Sequence, residues 1–158
     1  MTTLAGEFLS ADWGTSSLRL RWVGLQPLRI LGEIRGDAGA ASVEARAAAA
    51  GVDRAGVFAE TLRSWIERLG SEAGERIAPD GPDRLLSLPV VVSGMASSSI
   101  GWRELPYATL PFPLDGRGLI AESLGLDDHA VHILSGVRGD VDVMRGEETE
   151  ILGLLSDP

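Results

Sequence analysis

The chain has 158 residues, 44% of them hydrophobic, and a formal net charge of -9, which suits one compact globular domain. The negative balance argues against a general affinity for nucleic acid or anionic membrane, and no stretch reaches the ~18–20 apolar residues of a membrane span. The absence of cysteine excludes disulfides and thiolate metal sites and fits a reducing, cytoplasmic setting. The N-terminus has no basic region followed by an apolar run, so no secretory signal is expected, and Arg138-Gly139-Asp140 is read as chance rather than as an adhesion signal.

The first 36 residues alternate as three antiparallel strands, at 6–13, 17–23 and 28–35, with Gln26-Pro27 as the second turn. An alanine-rich loop over 37–51 ends in a short helix, Val43–Ala50. A stronger helix follows from Arg54 to Leu69, where Val57, Phe58, Leu62, Trp65, Ile66 and Leu69 recur at helical spacing and Gly70 closes the run. Residues 71–88 are rich in Gly, Pro and charge and predict a surface loop. Pro89–Gly94 is a continuous apolar run typical of a buried parallel strand. Residues 105–118 look irregular, 130–136 predicts another strand, and a final helix is expected over 143–155. The order three strands, helix, strand, connection, strand, helix predicts an α/β domain.

Three segments could carry chemistry. In Ala11-Asp12-Trp13-Gly14-Thr15-Ser16-Ser17-Leu18-Arg19 a strand ends in aspartate, turns through glycine and hydroxyl residues, and returns as a second strand. Such a hairpin can grip a phosphate, with Asp12 orienting a hydrated Mg²⁺ and Gly14, Thr15 and Ser16 donating hydrogen bonds. The alternative is an ordinary hairpin with a polar turn. In Ser93–Glu104 a buried strand opens into a serine-rich loop, where ligands of open α/β sheets bind. There Trp102 either stacks on a polyhydroxy ligand or plugs the core. In Asp142–Glu150 the acidic run is either a helix cap favoured by the dipole or a source of a general base or metal-holding carboxylate. His129 and His132 have no partners at metal-ligand spacing.

The hairpin pattern D-x-G-T-[ST]-x-x-[RK] resembles the first phosphate motif of the sugar kinase, Hsp70 and actin superfamily. Together with Ser93-Gly94-Met95, Gly101-Trp102, Glu104-x-Pro106-Tyr107 and the most specific run, Met144-Arg145-Gly146-Glu147-Glu148-Thr149-Glu150-Ile151-Leu152-Gly153, it resembles the 2-dehydro-3-deoxygalactonokinase family. The resemblance implies a ribonuclease-H-like lobe, βββαβαβα, with a mixed five-stranded sheet and helices on both faces. It also implies ATP and Mg²⁺, and phosphorylation of 2-dehydro-3-deoxy-D-galactonate at its 6-hydroxyl. On it, Asp12 with Glu147 or Glu148 would be catalytic and Asp12 would hold the metal. Gly14, Thr15, Ser16 and Arg19 would face the nucleotide phosphate, and Met95, Ser98, Trp102 and Glu104 the sugar acid. Two departures stand out. Ser99 and Ile100 replace an arginine and a glutamine of the family's serine loop, and the family's second, adenosine-binding lobe is not expected in this chain. Residues 1–158 are therefore expected to form a single N-terminal lobe, with a separate C-terminal lobe or self-association as its protein partner. The other readings are a non-catalytic fragment that binds a sugar acid or a protein, and a related kinase or phosphatase with another small anionic substrate.

Overall fold

The structure is a computed structural model that describes residues 6–73, 82–113, 115–126 and 129–156. Three strands open the chain, β1 (Glu7–Trp13), β2 (Leu18–Leu25) and β3 (Leu28–Gly36), followed by α1 (Ala40–Ala50) and α2 (Arg54–Ala73). A 3-10 turn at Pro82–Ser87 leads into β4 (Val90–Gly94). Then come β5 (Ala108–Thr109), β6 (Ala121–Leu126), β7 (His129–Leu134), β8 (Val137–Arg138), β9 (Val143–Met144) and α3 (Glu147–Ser156). The main sheet has the order β3-β2-β1-β4-β7-β6, and β5, β8 and β9 form a small second sheet. β4 lies parallel to both β1 and β7, while the remaining pairs of the main sheet are antiparallel. Among the described residues no helix is long and apolar enough to cross a membrane.

Period-two alternation separates the two faces of this sheet. Leu9, Ala11 and Trp13 of β1, Leu18, Leu20 and Trp22 of β2, and Val90 and Val92 of β4 form one core with Val43, Phe58, Leu62, Ile66 and Leu69 of the first two helices. Trp13, wholly buried, is the pivot of that core. Its ring packs 4.8 Å from Phe58 and 6.1 Å from Trp102, Phe58 stacks on Trp102 at 6.2 Å, and its indole N–H donates to the Ala38 carbonyl at 2.8 Å. One aromatic cluster thus ties the first hairpin, α2 and the segment after β4 together. The residues between, Ser10, Asp12, Arg21 and Ser93, point to the opposite face, where Gly146, Thr149 and Glu150 join them.

Several expectations need correction. The main sheet has six strands, not five, because β6 pairs with β7 as an edge strand. Its sequence, Ala-Glu-Ser-Leu-Gly-Leu, buries only Leu126, so it lacks the apolar alternation that marks a strand. The helix expected between the fourth and fifth strands is replaced by a short 3-10 turn, β5 and the β6–β7 hairpin. Helices α1 and α2 cover one face, and Thr149 and Glu150 of α3 lie on the other. The last helix begins at Glu147 rather than 143, since Val143 and Met144 pair with β8. Helix α1 starts at Ala40, and Gly70 is buried inside α2 instead of ending it. The predicted loop is cut at both ends by α2 and the 3-10 turn, and its residues 74–81 lie outside the described ones.

The aromatic cluster predicts a large local effect. Phe58→Ala should cost about 3–5 kcal/mol in urea unfolding, whereas Leu28→Ser, at a side chain 68% exposed, should change stability by no more than about 0.5 kcal/mol.

Candidate functional site

Two clefts open at the carboxyl ends of β1 and β4, on either side of the turn that starts α3. Their position follows from a backbone junction. Gly94 ends β4 at φ 85°, a left-handed value that disfavours other residues. A Cβ there would also lie 2.7 Å from the Trp13 carbonyl oxygen. Gly146, at φ 117°, approaches so closely that a Cβ on it would meet the Gly94 Cα at 3.3 Å. The ends of β1 and β4 and the start of α3 therefore meet backbone to backbone.

The smaller cleft, about 180 Å³, is lined by Ser10, Asp12, Arg21, Ser93, Gly146, Thr149 and Glu150. Asp12 stands opposite Arg19 on β2 and Ser93 on β4, and Arg19 in turn opposite Arg35 on β3. No hydrogen bond or ion pair occupies the side chains of Asp12, Arg19 or Arg35 among the described residues. The Arg21 side chain is held by Glu33 at 2.6 Å. Beside this row is the hairpin tip. The Gly14 N–H donates to the Ser17 carbonyl at 2.9 Å, so Gly14 shapes the turn and has no donor left for a ligand, contrary to the sequence expectation. The Gly14 and Thr15 carbonyls accept the Ala40 and Ala41 N–H groups at 2.9 and 3.1 Å, which docks the tip on the first turn of α1. A Cβ at Gly39 would collide with the Thr15 carbonyl, so only glycine lets the two backbones meet. The exposed hydroxyls of Thr15 and Ser16 make no hydrogen bond among the described residues, and these two remain as phosphate donors.

The larger cleft, about 890 Å³, is lined by Met95, Ser98, Ser99, Glu104, Leu105, Pro106, Tyr107, Val143, Arg145 and Glu147. It gathers three of the four residues expected at the sugar acid. The Ser98 hydroxyl donates to the Met95 carbonyl at 2.7 Å, which fixes the loop that carries both. Trp102 is the exception. Only 7% exposed, it packs its ring on Trp13 and Phe58 and so anchors the loop from the core; it does not line this cleft but an adjoining one with Arg103, Glu104 and Leu105. Arg145 and Tyr107 receive no site role from sequence, although both stand in the family-like motifs. The Arg145 guanidinium carbon sits 4.2 Å from the Tyr107 ring centroid.

The two adjacent glutamates face different surroundings. Glu147 is exposed in the large cleft, and its Oε2 accepts the Arg145 N–H at 2.9 Å. Glu148 is only 3% exposed. Its Oε2 accepts the Gly146 N–H at 2.7 Å, and its side chain lies among Leu110, Phe112, Val137, Met144, Ile151 and Leu152, in neither cleft. Burial pushes the Glu148 carboxyl above its ordinary value near 4.5, with the neighbouring Glu147 charge adding to the effect, while the backbone N–H groups it accepts pull the other way. Glu148 thus shapes the turn, and Glu147 is the carboxylate a ligand can reach.

A metal fits the smaller cleft in one way only. No group of three or more acidic or histidine side chains gathers among the described residues, so there is no protein cage there. Asp12 and Glu150 line the same cleft, and one or two carboxylates, with water and phosphate completing the shell, are what Mg²⁺ takes. The histidines are elsewhere: Nδ1 of His129 lies 2.8 Å from the Leu88 carbonyl oxygen, and Nδ1 of His132 lies 2.8 Å from the Ser123 hydroxyl.

A family model described as 2-keto-3-deoxy-galactonokinase matches residues 12–158. A protein of Rhizobium meliloti (strain 1021), named a probable 2-dehydro-3-deoxygalactonokinase, is 33% identical over 155 residues, covering 96% of this chain and 43% of that protein. The 2-dehydro-3-deoxygalactonokinase of Escherichia coli (strain K12) is 28% identical over 160 residues, covering 95% and 43%. A crystal structure from Sinorhizobium meliloti, assigned as a 2-dehydro-3-deoxygalactonokinase, superposes with a TM-score of 0.66 at 30% identity, covering 94% of this chain and 42% of the other. The chain thus spans well under half the length of the relatives it matches.

The raised Glu148 pKa has a signed consequence. Between the ordinary value near 4.5 and the raised folded value, the folded state binds more protons than the unfolded one. Stability from this group is therefore full below 4.5 and is lost as pH rises through the folded pKa. Glu148→Gln, which keeps an oxygen for the Gly146 N–H, should remove that loss. In urea unfolding at pH 4.5 and pH 7, the variant should gain on the wild type at the higher pH.

Proposed function

The chain belongs to the 2-keto-3-deoxy-galactonokinase family, and from that premise we propose that it is the N-terminal lobe of an ATP-dependent sugar acid kinase. In this reading it phosphorylates 2-dehydro-3-deoxy-D-galactonate at the 6-hydroxyl. The observation that carries the reading is the pair of clefts flanking Gly146, with Asp12 in one and Glu147 in the other. A phosphate donor and a hydroxylic acceptor bound there meet across a single turn.

Phosphoryl transfer needs positioning and charge neutralisation more than covalent chemistry from the protein. The Thr15 and Ser16 hydroxyls and the Arg19 guanidinium, which has no ion pair among the described residues, hold the terminal phosphate. Asp12 and Glu150, which line the same cleft, would hold Mg²⁺, and its chemistry there would be to neutralise charge on the transferred phosphate. Met95 gives the acceptor an apolar wall, while Ser98 and Glu104 face its hydroxyls. As the 6-hydroxyl oxygen bonds to the γ-phosphorus, the bond from phosphorus to the ADP oxygen breaks. The hydroxyl proton passes to the Glu147 carboxylate, which acts as general base. The second lobe of the longer relatives would close over the nucleotide.

The test combines this chain with a separately produced C-terminal part of the E. coli relative and follows sugar phosphate by ³¹P NMR. Turnover is expected only with both parts present. Asp12→Ala should lower it by about 10²–10³-fold and Glu147→Gln by about 10²–10⁴-fold, while Glu148→Gln leaves kcat near wild type. Turnover that survives Asp12→Ala contradicts the proposal. Sugar acid binding without turnover in any combination favours instead a non-catalytic binding role.

A further inference from the structure

The larger cleft contains a cation that the proposed chemistry above does not use. Among its lining residues Arg145 is the only positively charged one. With serine at 99 and isoleucine at 100, the loop after β4 brings no cation of its own to the cleft. Arg145 is also held rigidly. Its Nη1 donates to both the carbonyl and the hydroxyl of Ser97 at 2.6 Å, and Ser97 is wholly buried. The guanidinium carbon lies over the Tyr107 ring, 4.2 Å from its centroid.

These partners are all neutral. Arg21, Arg84 and Arg103 each reach a carboxylate, but Arg145 has no ion pair among the described residues, in a chain of net charge -9. The Glu147 carboxylate nearby accepts the Arg145 backbone N–H, not its side chain. The donors on Nε and Nη2 likewise have no partner among the described residues. Such a fork, fixed in place and not neutralised, matches the two oxygens of a carboxylate.

We propose that Arg145 binds the carboxylate of the acceptor through its Nε–Nη2 edge and makes the larger cleft select sugar acids over neutral sugars. The inference rests on the kinase reading, because that reading supplies a 2-oxo acid as the ligand of this cleft. It places the acid end of the substrate beside Tyr107, which lines the cleft, on the edge of the guanidinium away from Ser97. The far hydroxyl end then extends toward Glu147 and the Gly146 turn.

Calorimetric titration of the 158-residue chain with 2-dehydro-3-deoxy-D-galactonate and with its methyl ester tests this. Wild type should bind the acid between about 10-fold and 100-fold more tightly than the ester, the range a charge-assisted hydrogen-bonded pair supplies. Arg145→Gln should bring the two dissociation constants together with the ester's unchanged, a pattern that simple loss of folding cannot give. Arg145→Lys should keep part of the preference. Arg54→Gln, which alters the other arginine at this loop (its Nη1 donates to the Ser99 carbonyl), should keep all of it. An acid preference that survives Arg145→Gln, or that disappears in Arg54→Gln, overturns the assignment but leaves the kinase reading intact. A wild-type chain that binds neither ligand overturns both.

Discussion

The contact between Gly94 and Gly146 is the constraint on which the site depends. It lets three backbone segments meet where any side chain would hold them apart. With β1 and β4 parallel and in register from Leu9–Val90 to Trp13–Gly94, both strands end at the same level. Gly146 then drops the α3 turn onto that end, so that Asp12 faces one side of the turn and Glu147 the other. The aromatic cluster of Trp13, Phe58 and Trp102 holds the junction from below. The packing that stabilises the fold is in this way the packing that sets the distance between the clefts.

The same geometry separates two glutamates that are neighbours in sequence. Consecutive residues at a helix start point in different directions, so only one carboxylate can share the cleft with the serine loop. Glu148 accepts the Gly146 N–H from inside an apolar pocket and keeps the turn in place, which costs the desolvation seen in its raised pKa. Glu147 stays accessible to a ligand. On the proposed reading, capping and chemistry, posed as alternatives for this acidic run, are divided between Glu148 and Glu147.

Much of this was legible in the chain because it depends on local pattern. Alternation gave β1, β2 and β3, a continuous apolar run gave β4, and the spacing of Phe58, Leu62, Trp65, Ile66 and Leu69 gave α2. The hairpin and the Met144–Gly153 run pointed to the family. What was not legible depends on long-range packing. Edge strand β6 has a mixed, mostly exposed sequence and is defined by its partner β7. Gly70 carries a stop signal that tertiary packing overrides. The burial of Trp102 follows from where Trp13 and Phe58 end up, and the use of the Gly14 N–H from how the hairpin closes. The position of Arg145 over Tyr107 joins residues 38 apart in sequence, and no spacing rule connects them.

The central claim is that the sugar acid and the nucleotide phosphate occupy separate clefts on either side of one turn. Amide chemical-shift mapping of the isotope-labelled chain tests it most directly. Titration with 2-dehydro-3-deoxy-D-galactonate should move the amides of Met95, Ser98, Tyr107, Arg145 and Glu147, and Mg-ATP should move those of Thr15, Ser16 and Ser17. Both ligands shifting one common set of amides, or the sugar acid perturbing the exposed β3 edge instead of the serine loop, would contradict the account.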